Sequence, residues 1–146
     1  MTRINAHIKV RKLTDQHLIA EHREIKRVCA RYKARLDKNN WKGIPKSFTL
    51  GKGHELFFIN KPDYTLNRYI ELYEECVHRG FDVSCFISNW DVYEEKDRHL
   101  WAKYEENESD NEEIIKRISE RLAGMENIRY FSKNINREDA VALLIK

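Results

Sequence analysis

Apolar residues recur at helical spacing in the first third of the chain. Across residues 14–36 they alternate at intervals of four and three, which at ~100° per residue makes one narrow stripe. Thr14 is suited to cap such a helix, and Asp15 suits the positive end of the helix dipole. The pattern therefore predicts one helix over residues 14–36. Its inward residues are Leu18, His22, Ile25, Cys29, Tyr32 and Leu36.

Two more helices are predicted further along the chain. One covers residues 63–79 and ends before Gly80, which suits a left-handed C-cap. The other begins at Ser109, because Glu112 stands at the spacing of a capping box, and it ends at Gly124. The inward residues predicted for the first of these helices are Leu66, Tyr69, Ile70, Tyr73, Cys76 and Val77.

The stretch between the first two helices contains several residues that interrupt helices. Gly43, Pro45, Gly51 and Gly53 stand close together there, and the apolar run over residues 56–59 is short. Such a composition favours a packed loop over a long helix. Residues 86–108 are acidic and aromatic, and we assign no structure to them from the sequence.

A chain of 146 residues supports one hydrophobic core and leaves little for a second. We predict an all-α fold, a single compact domain of about three helices with long packed loops over residues 1–146. Residues 134–146 form a possible C-terminal extension. Its apolar residues fit either a packed helix or a segment that binds a partner.

The charge of the chain is strongly asymmetric. Residues 1–61 carry 15 Lys and Arg against 5 Asp and Glu, whereas residues 62–146 carry 12 against 19. A basic half of this size favours a polyanionic partner such as nucleic acid. The alternative is that the basic half only pairs with the acidic half.

The sequence contains no stretch of about 20 apolar residues and no signal peptide, so we expect no membrane partner and a cytosolic protein. Its three cysteines lack the paired spacing of a zinc site. We expect them to be reduced, with Cys29 and Cys76 in the core. The histidines also lack metal-ligand spacing, and we expect neither a metal nor a cofactor.

The face of the first helix that lies opposite the apolar stripe is cationic and includes one central carboxylate. This face would suit a helix lying against a phosphate backbone. The alternative is an ordinary solvated face on which the carboxylate forms surface ion pairs. The residues on the face are Gln16, Ala20, Arg23, Glu24, Arg27 and Arg31.

Many short stretches over residues 1–83 follow the order seen in one known family. These stretches are Met1-Thr2-Arg3-Ile4-Asn5, Asp15-Gln16-His17-Leu18, Ala20-Glu21, Arg23-Glu24, Arg27-Val28, Leu50-Gly51-Lys52-Gly53-His54, Phe57-Phe58, Lys61, Ile70-Glu71-Leu72, Glu75-Cys76 and Arg79-Gly80-Phe81. In them the chain resembles the bacteriophage endonuclease V family of pyrimidine-dimer DNA glycosylases.

The resemblance implies a glycosylase with coupled abasic-site lyase activity, in which Thr2 and Glu24 are catalytic. Removal of Met1 would expose the α-amino group of Thr2, which attacks the anomeric carbon of the damaged nucleotide. An α-amino group titrates near ~8, so part of it is unprotonated at neutral pH. The alternatives are an ordinary flexible terminus at Thr2 and a surface ion pair at Glu24.

The resemblance also implies double-stranded damaged DNA as the partner. Arg3, Gln16, His17, Arg23 and Arg27 match family positions that hold the duplex around the lesion. His17 could instead be an ordinary surface residue at the helix start. We expect a monomer in the cytoplasm, which is the host cytoplasm if the chain is phage-encoded.

Three residues on the third helix, Lys116, Arg117 and Arg121, are further candidates for phosphate contacts, of which Lys116 and Arg121 are retained as predicted DNA-binding residues. Their alternative is a solvated face, because the resemblance is loose there.

The C-terminal part departs from the family pattern. Only residues 129–133 resemble the aromatic, basic C-terminus with which the family recognises the dimer. The lesion is therefore less well specified than the reaction, and a glycosylase for another damaged base is an alternative. A non-catalytic DNA-binding module is a second alternative, and an RNA-binding protein is a more distant third.

Overall fold

The computed structural model describes residues 4–145, and its regular structure is almost entirely helical, which confirms the predicted all-α fold. Two short antiparallel strands form a hairpin near the C-terminal end. Among the described residues the helices and strands are α1 (Asp15–Glu24), α2 (Arg27–Lys38), α3 (His54–Phe58), α4 (Pro62–His78), α5 (Glu108–Ala123), β1 (Arg129–Tyr130), β2 (Lys133–Asn134) and α6 (Arg137–Ile145).

The start of α1 is as predicted. The hydroxyl oxygen of Thr14 accepts a hydrogen bond from the backbone N–H of His17 at 3.3 Å, which satisfies one of the free N–H groups in the first helical turn. Most of the predicted apolar stripe is also correct, because Leu18, Ile25 and Cys29 are buried.

The prediction of one continuous helix over residues 14–36 is wrong, because α1 ends at Glu24 and α2 begins at Arg27. The N–H of Val28 donates to the carbonyl of Ile25 at 3.2 Å, three residues earlier, whereas an α-helical bond reaches back four residues. Such bonds tighten the backbone into a 3-10 turn. Neither Pro nor Gly marks this point in the sequence.

Helix α4 has nearly the predicted bounds, and Gly80 follows it with φ of +84° in the left-handed region, as predicted. The predicted inward face is partly wrong. Val77 is 54% exposed, whereas Arg68, which periodicity places outside the apolar stripe, is buried. The α4 face that packs on the core is therefore rotated toward Arg68.

Helix α5 begins earlier than the capping box at Ser109 predicts. The side chain of Asn107 accepts a hydrogen bond from the N–H of Asp110 at 2.9 Å, so Asn107 is the N-cap. Asn is as good a cap as Ser, and the sequence offers both. Gly124 ends the helix as predicted.

More of the chain is helical than the predicted three helices. Residues expected to form a packed loop include the five-residue helix α3, and the C-terminal tail forms α6. Helix α6 contacts α5, and its Ala140 and Leu144 are buried. The tail is therefore a packed helix. Short 3-10 helices complete the fold at Val10–Lys12, Gly51–Gly53, Ile87–Val92 and Glu95–Leu100.

Aromatic side chains fasten the acidic segment after α4 onto the core. Trp90 is buried and donates its ring N–H to the hydroxyl of Thr65 at 3.1 Å. Tyr93 donates to the carbonyl of Ile59 at 2.7 Å. Cys29 and Cys76 are buried as predicted. Within residues 4–145 no helix has the length and apolar character needed to span a membrane.

Candidate active site

Glu24, the predicted catalytic carboxylate, is the last residue of α1. Its side chain is half-buried, and its Oε2 atom has almost no contact with solvent. A carboxylate that makes only surface ion pairs is normally well exposed. The position of Glu24 therefore favours a specific role over a solvated face.

A groove of about 470 Å³ lies between α1 and α5. It brings together three of the predicted DNA-binding residues, Gln16 and His17 from α1 and Arg121 from α5. We call it the α1–α5 groove. Its walls are formed chiefly by Asn5, Gln16, His17, Ala20, Glu120 and Arg121.

A second groove, of about 380 Å³, lies on the other flank of α5. Lys116 and Arg117 line it together with Thr49 and Leu50, and Glu120 is common to both grooves. Lys116 and Arg121 thus lie in adjoining grooves, so one polyanion could contact both residues. This second groove is called the α5–loop groove below.

His17 is fixed at the rim of the α1–α5 groove. Its Nδ1 lies 2.9 Å from the hydroxyl oxygen of Thr14, which already accepts the N–H of His17 and so can donate its own proton to Nδ1. Burial lowers the pKa of His17, Glu21 opposes this effect, and the charge of Arg121 adds to it. A neutral ring with its proton on Nε2 could donate one hydrogen bond into the groove.

Gln16 already has bonds on both sides of its amide. Its Nε2 donates to the carbonyl of Asn127 at 2.7 Å, and its Oε1 accepts the N–H of Arg129 at 3.1 Å. Each of these bonds uses one of the two hydrogen-bonding positions of its atom, so a contact between Gln16 and DNA would have to use the second. The structure therefore gives Gln16 a second role, in holding the start of the hairpin against α1.

Arg23 and Arg27 have exposed side chains on α1 and α2. Within residues 4–145 neither forms an ion pair, so both can bind an external anion. Arg31, the next arginine of the predicted cationic face, lies 3.4 Å from Glu55 and is partly neutralised. The cationic face is therefore strongest next to Glu24.

The other two predicted site residues, Thr2 and Arg3, lie outside the described residues. The residues that follow them are firmly held. Ile4 bonds to the buried ring of His54 through its backbone, and the side-chain amide of Asn5 donates to Oε1 of Glu21 at 2.8 Å. The first described residues thus lie against α1 and against His54, which also bonds to Thr49 of the α5–loop groove.

Glu21 is itself held by a buried arginine. Arg68 of α4 forms two bonds to its carboxylate, at 2.7 and 3.0 Å, and a third bond to the carbonyl of Ile8. Both side chains are almost fully buried. A bidentate pair of this kind orients both partners, so it fixes the residue to which Asn5 binds.

The sequence interpretation gave no role to Asn5, Glu21, His54 or Arg68, although the first three stand in the stretches that carry the resemblance. Their polarity suggested a surface position, and periodicity cannot predict which polar residues pair inside the core. One signal was present in the sequence. Arg68 lies next to Tyr69 on α4, close to the predicted apolar stripe.

Exposed arginines beside adjoining grooves suit a polyanionic partner such as nucleic acid. Residues 1–89 match the family model of pyrimidine dimer DNA glycosylases. The match covers more than half of the 146 residues, and the chain belongs to this family. It is therefore a DNA-repair glycosylase, with damaged DNA as the partner that the family implies. The matched part includes Glu24, α1 to α4 and their buried polar contacts.

Proposed function

We propose that this protein is a bifunctional DNA N-glycosylase and abasic-site lyase, which excises cyclobutane pyrimidine dimers with the α-amino group of Thr2 as nucleophile and Glu24 as catalytic carboxylate. The amine attacks C1′ of the damaged nucleotide and displaces the base. The sugar ring opens, and an imine joins the nitrogen of Thr2 to C1′. This step requires that Met1 be removed.

Glu24 has two tasks in this mechanism. Its negative charge stabilises the cationic sugar while the base departs. In the second half of the reaction it accepts a proton from C2′ of the imine, and the electron pair of that C–H bond expels the 3′ phosphate. Hydrolysis of the remaining imine then releases Thr2 and the nicked strand.

The observation that carries the proposal is the bond between Asn5 and Glu21 at 2.8 Å. Thr2 stands three residues before Asn5, a stretch that spans at most ~10 Å of chain. Glu24 stands three residues after Glu21, about one helical turn along α1. This anchoring supports a nucleophile and a carboxylate that work on the same sugar.

Exposed cations near Glu24 support binding of a duplex in the same region. Arg23 and Arg27 would contact phosphates beside the lesion, while Arg121 and Lys116 would extend the contacts along the two grooves. Arg3 would join them next to the nucleophile. His17 would add a neutral donor, which can bind a phosphate or a base edge.

Trapping with borohydride tests the mechanism directly. Borohydride reduces an imine to a stable amine, so incubation with dimer-containing or abasic duplex should yield a covalent complex. Peptide mapping should place the adduct on Thr2. A Thr2→Arg variant serves as a control, because its larger second residue retains Met1 and moves the free amine by one position; we expect trapping to fall sharply.

Two results would contradict the proposal. Absence of any adduct from correctly processed protein would leave a DNA-binding module without lyase chemistry. An adduct on a lysine would assign the nucleophile elsewhere. A third result would contradict only the choice of lesion: adducts with abasic DNA without base release from dimer-containing DNA would support the lyase activity and indicate that the enzyme removes a different damaged base.

A further inference from the structure

His54 is a buried histidine that holds the backbone of Ile4. Its Nε2 lies 3.2 Å from the nitrogen and 3.0 Å from the oxygen of Ile4, and its Nδ1 lies 3.0 Å from the carbonyl oxygen of Thr49. The side chain is only 3% exposed. Its ring therefore connects the beginning of α3 to the first described residue of the chain.

The ring of His54 can hold Ile4 in two ways, through different backbone atoms. The carbonyl oxygen of Thr49 is an acceptor, so Nδ1 must carry a proton to bond with it. In the neutral ring Nε2 then has a lone pair and accepts the N–H of Ile4, whereas in a protonated ring Nε2 would donate to the carbonyl oxygen of Ile4. Burial lowers the pKa of His54, against the raising effect of its bonds to Thr49 and Ile4, and so favours this neutral ring.

We infer that His54 is a positioning residue for the N-terminal nucleophile, a role that rests on the proposed function of Thr2. Only Arg3 separates Ile4 from Thr2. Without this bond the side chain of Ile4 would still be buried in the core, but its backbone would lose the hydrogen bond that orients the chain toward Thr2. Attack on C1′ depends on close alignment, and small displacements of a reacting group cost large factors in rate.

The contacts of neighbouring residues show why His54 has a distinct role. Glu21 holds Asn5, and Arg68 holds the carbonyl of Ile8, so the segment from Asn5 onward has anchors of its own. The bond from His54 lies closer to Thr2 along the chain than either. Its loss should therefore affect the nucleophile more than it affects the rest of the segment.

Two substitutions separate the two bonds of the ring. Asn at position 54 places its amide near the position of Nδ1, which preserves the bond to Thr49 and removes the bond to Ile4. Gln reaches the position of Nε2, so it preserves the bond to Ile4 and removes the bond to Thr49. We expect His54→Asn to slow borohydride trapping on abasic duplex by about 10- to 100-fold. His54→Gln should stay within about threefold of the wild-type rate.

Duplex affinity and a second buried histidine provide the controls. Both variants should bind abasic duplex as tightly as wild type, because His54 does not touch DNA in this scheme. His22→Gln removes a buried histidine of α1 that bonds to Tyr69 at 3.0 Å, away from Ile4, and should trap at the wild-type rate. Thermal melts identify the temperature range in which every variant is folded.

Equal slowing in His54→Asn and His54→Gln would overturn the role, because it would reflect lost stability alone. Wild-type rates in both variants would also overturn it. A wild-type protein that forms no adduct overturns the proposed function, and this role with it. Should His54→Asn not fold, amide exchange in the wild-type protein decides: protection of the Ile4 amide supports the role, and exchange as fast as in an unstructured peptide overturns it.

Discussion

Two buried ion pairs connect α1 to α4 and to the residue that follows it, and each of them holds a different end of the chain. Glu21 and Arg68 hold the segment over residues 5–8, whereas Asp15 and Arg79 hold the hairpin over residues 129–134. In both pairs the acid comes from α1, and the arginine comes from α4 or, for Arg79, from the residue directly after it. The same chemical arrangement thus holds two separate regions.

The pair between Asp15 and Arg79 stabilises an unfavourable backbone conformation in the hairpin turn. Phe131 and Ser132 form the hairpin turn with φ of +51° and +67°, which L-residues with side chains rarely adopt. The carboxylate of Asp15 accepts both of their N–H groups, at 3.0 and 2.7 Å. The guanidinium of Arg79 lies 4.6 Å from the ring of Phe131 and completes the contact.

The pair between Glu21 and Arg68 lies close to the proposed chemistry instead. It fixes Asn5, and both members belong to the 1–89 segment that matches the glycosylase family. The hairpin lies outside that segment. Helix α1 thus holds the segment next to the proposed nucleophile through one buried carboxylate, and a region outside the family match through another.

The largest expected effect concerns the end of α1. Glu24→Gln preserves the shape of the side chain and removes its charge, so we expect base release and strand cleavage to fall by about 10²–10⁴-fold while duplex binding remains. Gel assays for cleavage and for binding measure the two effects. Glu138→Gln on α6 is the control. If Glu24→Gln cleaved at the wild-type rate, Glu24 would not be catalytic and would be an ordinary residue of a solvated helix face.

Breaking each buried pair tests whether the two regions are independent. Glu21→Gln leaves the buried Arg68 without its counter-charge, and we expect a loss of about 3–5 kcal/mol of unfolding free energy in urea titrations. In Asp15→Asn the guanidinium of Arg79 keeps its ion pair with Glu75 at 2.8 Å, so we expect a smaller loss. Under conditions where both remain folded, Glu21→Gln should slow trapping on abasic duplex, and Asp15→Asn should not. Equal slowing would show that the hairpin and the nucleophile are coupled.

Acid should lower the unfolding free energy of the protein through its buried histidines. The pKa of His54 and that of His17 are lowered in the folded protein, with burial as the main cause, so the unfolded chain takes up their protons first as the pH falls below about 6.5. The contribution of these two neutral histidines to the unfolding free energy is therefore fully present above that pH, and it declines as the pH falls below it. Urea titrations between pH 7 and pH 5 should show a shallower decline in His54→Gln than in wild type. An identical decline in both proteins would show that His54 does not contribute to the pH dependence of the unfolding free energy.

The smallest effect separates an exposed arginine that has no ion pair within residues 4–145 from an exposed arginine that is paired. Arg27 is exposed, so Arg27→Gln should reduce the slope of log affinity against log salt for undamaged duplex by about 0.9, the value of one phosphate contact. Arg98→Gln, which removes an exposed arginine bonded to Glu95, should leave the slope unchanged. An unchanged slope in Arg27→Gln would mean that Arg27 does not touch the backbone.

The sequence by itself determined the features that depend on residues one or two turns apart. Thr14 as a cap, Gly80 after α4 and most of the apolar stripe of α1 and α2 are local signals, and all are confirmed. The family resemblance and the candidate Glu24 also came from the sequence, since they need only the order of the residues. The role of Glu24 is still a proposal.

The tertiary structure alone decided which polar residues are buried and what they hold. Arg68 and Glu21 stand 47 positions apart, and Arg79 and Asp15 stand 64 apart, so no local pattern could pair them. A charged residue is normally placed outside the core, and only a partner brought close by the fold makes its burial favourable. For the same reason the bond between His54 and Ile4, which spans 50 positions, could be found only in three dimensions.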